Sequence, residues 1–139
     1  MLRDWTDAYN DSFARHYRFV RSGVDIARAL VAEPGFRADG LGLAYRGGAC
    51  VGFCRNTLHA ARGEVATVGV VRAARGIGAG RALLRWGVRW LEAAAPLPVT
   101  LLVDGANEGA LGLYRSEGFA VTRTRRIWAR PAAAPLSAP

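Results

Sequence analysis

The sequence predicts an α/β domain built in three layers, with helices flanking a mixed sheet. Three observations lead there. Apolar residues recur at three- and four-residue spacing through the first thirty positions, the signature of amphipathic helices. From Leu41 the pattern becomes that of strands and pivots on Arg46-Gly47-Gly48, a hairpin turn. From Glu64 onward, apolar strand-like runs alternate with helical ones. The 139 residues fit one domain. It is expected over residues 1–130, with a low-complexity Pro/Ala-rich tail at 131–139 that is expected to be disordered.

In order, residues 4–19 read as a helix capped by Asp4, with Trp5, Ala8, Tyr9, Phe13 and Tyr17 on its apolar face. Ser22-Gly23 breaks it. A short helix follows over 24–32, with Ile26, Ala27, Leu30 and Val31 inward, ending at Pro34-Gly35. Residues 41–45 and 49–56 form the hairpin. The valine-rich run 64–71 is a buried strand, 72–80 a glycine-rich loop, and 81–95 a helix stopped by Pro96 and Pro98. Residues 99–103 are a short apolar strand. Asp104 to Asn107 turns into a helix ending at Gly118, and Phe119 to Trp128 reads as the last strand.

All nineteen basic residues are arginine, set against eleven acids for a net charge of +8. They are scattered rather than blocked, as compositional bias would leave them, so no nucleic-acid partner is expected. The P-loop pattern needs a lysine, so a P-loop ATPase is excluded. No run approaches the ~18 apolar residues of a membrane span. Met1-Leu2-Arg3-Asp4-Trp5 carries an acid where a secretory leader has a basic end, so a cytoplasmic setting is expected. Two cysteines are too few for a disulfide framework or a four-ligand zinc site, and no metal is expected. Cys50 and Cys54, four apart on a strand, are expected to share one face as small apolar fillers.

Two segments carry chemistry. Arg75-Gly76-Ile77-Gly78-Ala79-Gly80 lies between a buried strand and a helix, where successive N–H groups and the helix dipole suit a pyrophosphate. The dinucleotide fingerprint fails, because its sixth position, counted from Gly76, is Arg81 rather than glycine. A plain helix-capping turn is the other reading. In the second segment Asn107, Ala110 and Tyr114 are three and then four apart and share one helical face. Asn107 can cap that helix and Gly118 supplies its left-handed stop. Read locally, Asn107 is only a cap, and Ala110 and Tyr114 are core.

Together, Arg75-x-x-Gly78-x-Gly80 and Asn107-x-x-Ala110-x-x-x-Tyr114-x-x-x-Gly118-Phe119 resemble the GNAT superfamily of acyl-coenzyme A-dependent N-acyltransferases. The resemblance covers roughly residues 64–119. Trp5-x-x-x-Tyr9-Asn10-x-x-Phe13 with His16, and Glu64-Val65-x-x-Val68-Gly69-Val70, are similar to the mycothiol acetyltransferase-like branch.

The resemblance implies a mostly antiparallel mixed sheet with a splayed central strand pair, and acetyl-coenzyme A as acyl donor. Val70 and Val71 would hold the pantetheine arm. Arg75 and the amides of Gly76, Ile77, Gly78, Ala79, Gly80 and Arg81 would hold the pyrophosphate, with Asn107, Ala110 and Tyr114 completing the cofactor site. Tyr114 is the implied acid for the leaving thiolate. Glu64 is the chosen base, acting directly or through water, although read locally it is a solvated strand end. His16 is the rival base and His59 is expected to be solvated. The implied reaction acetylates a primary amine of a small molecule or peptide by direct attack in a ternary complex. A non-catalytic acyl-coenzyme A sensor or subunit is the alternative, and a homodimer is among the implied arrangements. Members usually begin with a strand before the first helix. Here the first helix is expected within the first five residues, so either the strand lies before Met1 or another chain is expected to cover the hairpin edge.

Overall fold

The structure, a computed structural model, describes residues 1–16 and 19–130. Two helices come first, α1 (Leu2–Phe13) and α2 (Val24–Val31). The sheet follows, with β1 (Leu41–Arg46), β2 (Ala49–Leu58), β3 (Gly63–Val70) and β4 (Val99–Leu101) side by side in that order. β1, β2 and β3 are antiparallel, whereas β4 runs parallel to β3. α3 (Ala79–Ala94) crosses from β3 to β4, and α4 (Glu108–Ser116) follows β4.

α1 is shorter than its apolar spacing predicts. It ends where its last groups find partners outside the helix. The Ser12 carbonyl accepts from Arg75 (2.8 Å), and the Asp11 carboxylate accepts from the Arg72 N–H (2.6 Å) and guanidinium (3.0 Å). Asp4 is not the cap: it lies in the first turn and accepts from the Tyr45 hydroxyl (2.7 Å). Tyr17 and the tail at 131–139 lie outside the described residues. Asn10 ties α1 to the start of α2 by bonding both main-chain groups of Ser22 at 2.8 Å.

Two apolar layers clamp the sheet. On one face, Trp5, Ala8 and Ala27 of the first two helices pack on Phe53. On the other, Leu83, Leu84 and Leu91 of α3 pack on Cys54 and Val65. α3 lies so close that a Cβ at Gly87 would stand 2.7 Å from Cys54 Sγ and 2.8 Å from Asn56 Oδ1. The hairpin turn is built from Gly47 (φ 56°) and Gly48 (φ 80°), the paired left-handed residues that match strand twist.

Three expectations are corrected here. Cys50 and Cys54 do not share a face: Cys54 packs under α3 and Cys50 with the α1 layer. The cause is a bulge at Val51, between the pairs Ala44↔Gly52 and Tyr45↔Cys50, which breaks the two-residue alternation. Both remain free thiols, and burial raises the Cys54 thiol to about 12. β4 has three residues rather than five, and Leu102 just past it is 81% exposed. Phe119 to Trp128 forms no strand. Its apolar alternation is real, but the short β4 offers no edge ladder to pair with, and Trp128 stands 90% exposed. Among the described residues, no helix is long and apolar enough to cross a membrane.

Replacing Gly87 by valine is expected to lower the unfolding free energy by about 1–3 kcal/mol, through overpacking against Cys54 and Asn56. Urea denaturation of the variant checks it. Asp11 has its carboxyl held below the usual range, first by the Arg72 N–H and then by the Arg72 side chain. A depressed carboxyl stabilises the fold above its unfolded pKa of ~3.9, and that stability is lost as pH falls through the folded value. Asp11→Asn is therefore expected to lower the melting temperature at pH 7, and the difference from wild type should close as the pH drops below the carboxylate range.

Candidate active site

The site begins with a strand that loses its neighbour. β3 and β4 pair only at Gly63↔Val99, Glu64↔Thr100 and Val65↔Leu101. β4 then ends, while β3 runs on through Val70 with no strand on that side. A bulge at Ala66, between the pairs Asn56↔Val65 and Arg55↔Thr67, sits at the point of parting. The open edge from Ala66 to Val70 is roughly 13 Å long at ~3.3 Å per residue.

Main-chain direction along this edge follows from one hydrogen bond. The Val71 N–H donates to Val51 O at 2.9 Å, toward β2. Alternation in an antiparallel ladder therefore turns the N–H and C=O of Val70 the other way, into the gap. Val71 itself differs from its expected part: its N–H is taken by β2, and its carbonyl accepts from Ala74 N at 3.0 Å.

The glycine loop follows the open end of β3, and the start of α3 lies against it: a Cβ at Gly80 would stand 3.6 Å from Val70 Cγ2. Gly76 (φ 81°) and Gly78 (φ 85°) are left-handed, and a Cβ at either would meet nothing within 4 Å. Glycine is needed there for its conformation, not for space. Gly78 is the N-cap of α3, and the first helical bond runs from Ala82 N to Gly78 O (3.0 Å). Among the described residues, the N–H groups of Gly76, Ile77, Gly78, Ala79, Gly80 and Arg81 donate to no protein acceptor. They form a row of free donors at the positive end of a 16-residue helix.

The two arginine side chains bracketing this row are already engaged. Arg75 holds the Ser12 carbonyl. Arg81 bonds Glu117 and Ser116 of the α4 end, and Arg85 holds the other Glu117 oxygen at 2.9 Å. Arg85, then Arg81, keeps the Glu117 carboxyl below its usual range. These bonds fasten the start of α3 to the end of α4.

α4 carries Tyr114. Asn107 caps the helix, its Oδ1 accepting from Ala110 N at 3.1 Å. Gly118 (φ 90°) ends it, and Phe119 N returns to Tyr114 O at 3.0 Å, the left-handed stop that the sequence predicts. The Tyr114 ring is half-buried and, like Val68 and Val70, packs against the core cluster of Cys54, Val65, Leu83, Leu84 and Leu91, with Phe119 6.2 Å away in an edge-to-face arrangement. Burial, and secondarily Cys54, raises its phenol above the usual value. No hydrogen-bond partner of its hydroxyl occurs among the described residues.

Glu64 sits at the last rungs before the strands part, and it is not a freely solvated strand end. Its Oε2 lies 2.6 Å from His59 Nε2 and 3.7 Å from Arg62 Nη2, with the side chain 18% exposed. His59, expected to be solvated, is thereby corrected to a partner of Glu64. The readable signal was the loop His59-Ala60-Ala61-Arg62 between β2 and β3. Its closure by His59 N to Arg62 O (2.9 Å) returns His59 to the strand end. His16, the rival, is exposed beyond α1, its ring against the edge of Phe13 at 5.7 Å. On the α1/α2 face of the sheet a pocket of about 290 Å³ opens, lined in part by Trp5, Tyr9, Ile26, Arg55 and Thr67. No metal-holding group of three or more His, Cys, Asp or Glu occurs among the described residues.

Comparison with known proteins bears on this arrangement. The profile of the Acetyltransferase (GNAT) family matches residues 2–119. A mycothiol acetyltransferase of Thermomonospora curvata is 39% identical over 116 residues, which is 83% of this chain and 39% of that protein. The chain spans between 29% and 42% of the length of the curated mycothiol acetyltransferases it matches. Among solved structures, the ribosomal-protein-S18-alanine N-acetyltransferase from Escherichia coli superposes with a TM-score of 0.74 at 18% identity, covering 94% of this chain and 79% of that one. Arabidopsis thaliana Naa50, in complex with the bisubstrate analogue CoA-Ac-MVNAL, superposes with a TM-score of 0.63 at 27% identity, covering 80% and 74%. With the family profile spanning both motifs and the gap between them, the chain belongs to the acetyltransferase (GNAT) family.

Proposed function

We propose that this chain transfers the acetyl group of acetyl-coenzyme A to a primary amine by direct attack within a ternary complex. The observation that carries the reading is the row of free amides at 76–81, at the start of a helix that lies against Val70 at the end of the open β3 edge. A diphosphate needs several donors at once, and charge-assisted N–H bonds to it are each worth about 1.5–3 kcal/mol. The open edge of β3 then offers main-chain groups at Val70 to the pantetheine amides. Asn107 and Ala110 line the α4 side, and Val71 contributes packing rather than hydrogen bonds. Arg75 and Arg81 add positive field while their guanidinium groups brace the loop. That solved relative's complex with an acetyl-coenzyme A bisubstrate analogue supports the donor.

The chemistry has three demands. The ammonium must lose a proton, and Glu64, fixed by His59, takes it directly or through one water. The oxyanion of the tetrahedral intermediate needs a donor, which the gap-facing N–H groups of β3 supply. As the C–S bond breaks, the Tyr114 phenol hydrogen-bonds the developing thiolate and passes its proton to it. Burial raises that phenol, which favours the protonated form that can donate. Two free cysteines support a reducing, cytoplasmic setting.

Calorimetric titration with acetyl-coenzyme A, followed by thiol release across an amine series, tests the reading; no binding at millimolar cofactor contradicts it. Tyr114→Phe is expected to lower kcat roughly a hundredfold while leaving cofactor affinity within about threefold of wild type. Gly78→Ala forces a side chain into left-handed φ at a cost of about 1–2 kcal/mol, and is expected to weaken cofactor binding about tenfold. Glu64→Gln should depress kcat/KM by roughly a hundredfold or more, and His59→Ala by a smaller factor, measured by initial rates of thiol release.

A further inference from the structure

We infer that the pocket between α1, α2 and the sheet selects an acceptor that carries a carboxylate beside its amine, with Arg55 as the residue that determines this preference. The inference rests on the acetyl-transfer reading above. The pocket's volume of about 290 Å³ is at the small end of ligand sites, which run ~300–1,000 Å³. That suits an amino acid or a very short peptide, not an oligosaccharide. Its walls are largely apolar, with Trp5, Tyr9, Ile26, Leu30 and Phe53 among them.

The charge on these walls is one-sided. Arg55 is the one strongly charged side chain among the described residues that line the pocket, and no carboxylate stands there. Arg55 is half-buried. Its one hydrogen bond among the described residues runs from Nη1 to Thr57 Oγ1 at a long 3.4 Å, and it makes no ion pair with any described acid. The contrast with Arg72, Arg81 and Arg85, each locked to an acid, is plain. A partly desolvated guanidinium facing apolar walls wants an anion, and its planar fork matches a carboxylate.

A pocket whose described lining holds one guanidinium and no carboxylate disfavours a polyamine and favours an anion.

Register fixes where the anion would sit. Arg55 pairs with Thr67, and Thr57, which Arg55 contacts, pairs with Glu64. A carboxylate held by Arg55 therefore lies about two residues along β2, roughly 7 Å at ~3.3 Å per residue, from the pair that carries the proposed base. An amine one carbon from that carboxylate is the arrangement that lets both contacts form together.

The test compares L-leucine and L-phenylalanine with leucinamide and phenylalaninamide, in wild type and in Arg55→Gln and Arg55→Lys. Binding is read by calorimetry in the presence of coenzyme A, and turnover by thiol release from acetyl-coenzyme A. The expected result is at least tenfold tighter binding of the free acids, lost in Arg55→Gln and largely kept in Arg55→Lys, with melting temperatures confirming that the variants fold. Equal or tighter binding of the amides, a preference that survives Arg55→Gln, or no binding of any of the four overturns the inference. Acid-selective binding without thiol release supports the pocket's selectivity and counts against the acetyl-transfer reading instead.

Discussion

The structure depends on a pairing that stops early. Three rungs join β3 to β4, and then the strands part. Unpaired main-chain groups near a protein's interior are costly, so such a gap persists only where the surroundings hold both strands in place. Here α3 does so from one face, with Leu84 and Leu91 almost fully buried against the sheet. Glu117 clips the start of α3 to the end of α4 through Arg81 and Arg85. On the other face, Asp11 and the Ser12 carbonyl hold the turn after β3 through Arg72 and Arg75. The glycine loop is therefore anchored at both of its shoulders, and its own amides are left over.

Those anchors also change what the arginines mean. A net charge of +8 over nineteen scattered arginines points, in the sequence, to compositional bias rather than to one anionic partner. In the fold, the arginines around the loop are spent on the chain's own acids and carbonyls. In the proposed reading, anion recognition at the loop falls to main-chain N–H groups, which follow two left-handed glycines, rather than to flexible side chains. Arg55 is the exception on the opposite face, where a guanidinium looks into a pocket without an acid.

Much of this was legible in the sequence, for identifiable reasons. Gly76 and Gly78 announce left-handed backbone because little else tolerates it, and Asn107 and Gly118 mark helix ends by local chemistry that needs no tertiary context. Periodicity placed α2, α3 and the hairpin to within about two residues, whereas α1 ends at Phe13, six residues short of the expected 4–19. What failed depended on neighbours. One bulged residue sent Cys50 and Cys54 to opposite faces, an event invisible to a two-residue period. Phe119 to Trp128 has strand-like spacing, but the edge it would need ends at Leu101. His59 looked solvated because its partner, Glu64, is brought to it only by closure of the loop between β2 and β3. The direction of the Val71 N–H followed from its bond to Val51, which no local pattern encodes.

In the proposed complex a diphosphate is held by the amides of residues 76–81 while its attached arm enters the gap beside β3. Titration of nitrogen-15-labelled protein with coenzyme A, followed through its amide resonances, reads this contact residue by residue. The largest shifts should fall on Gly76 to Arg81 and on Val70, with Val71 shifting less because its N–H stays on β2. Shifts confined to surface arginines, or an unmoved 76–81 segment under saturating coenzyme A, would contradict it.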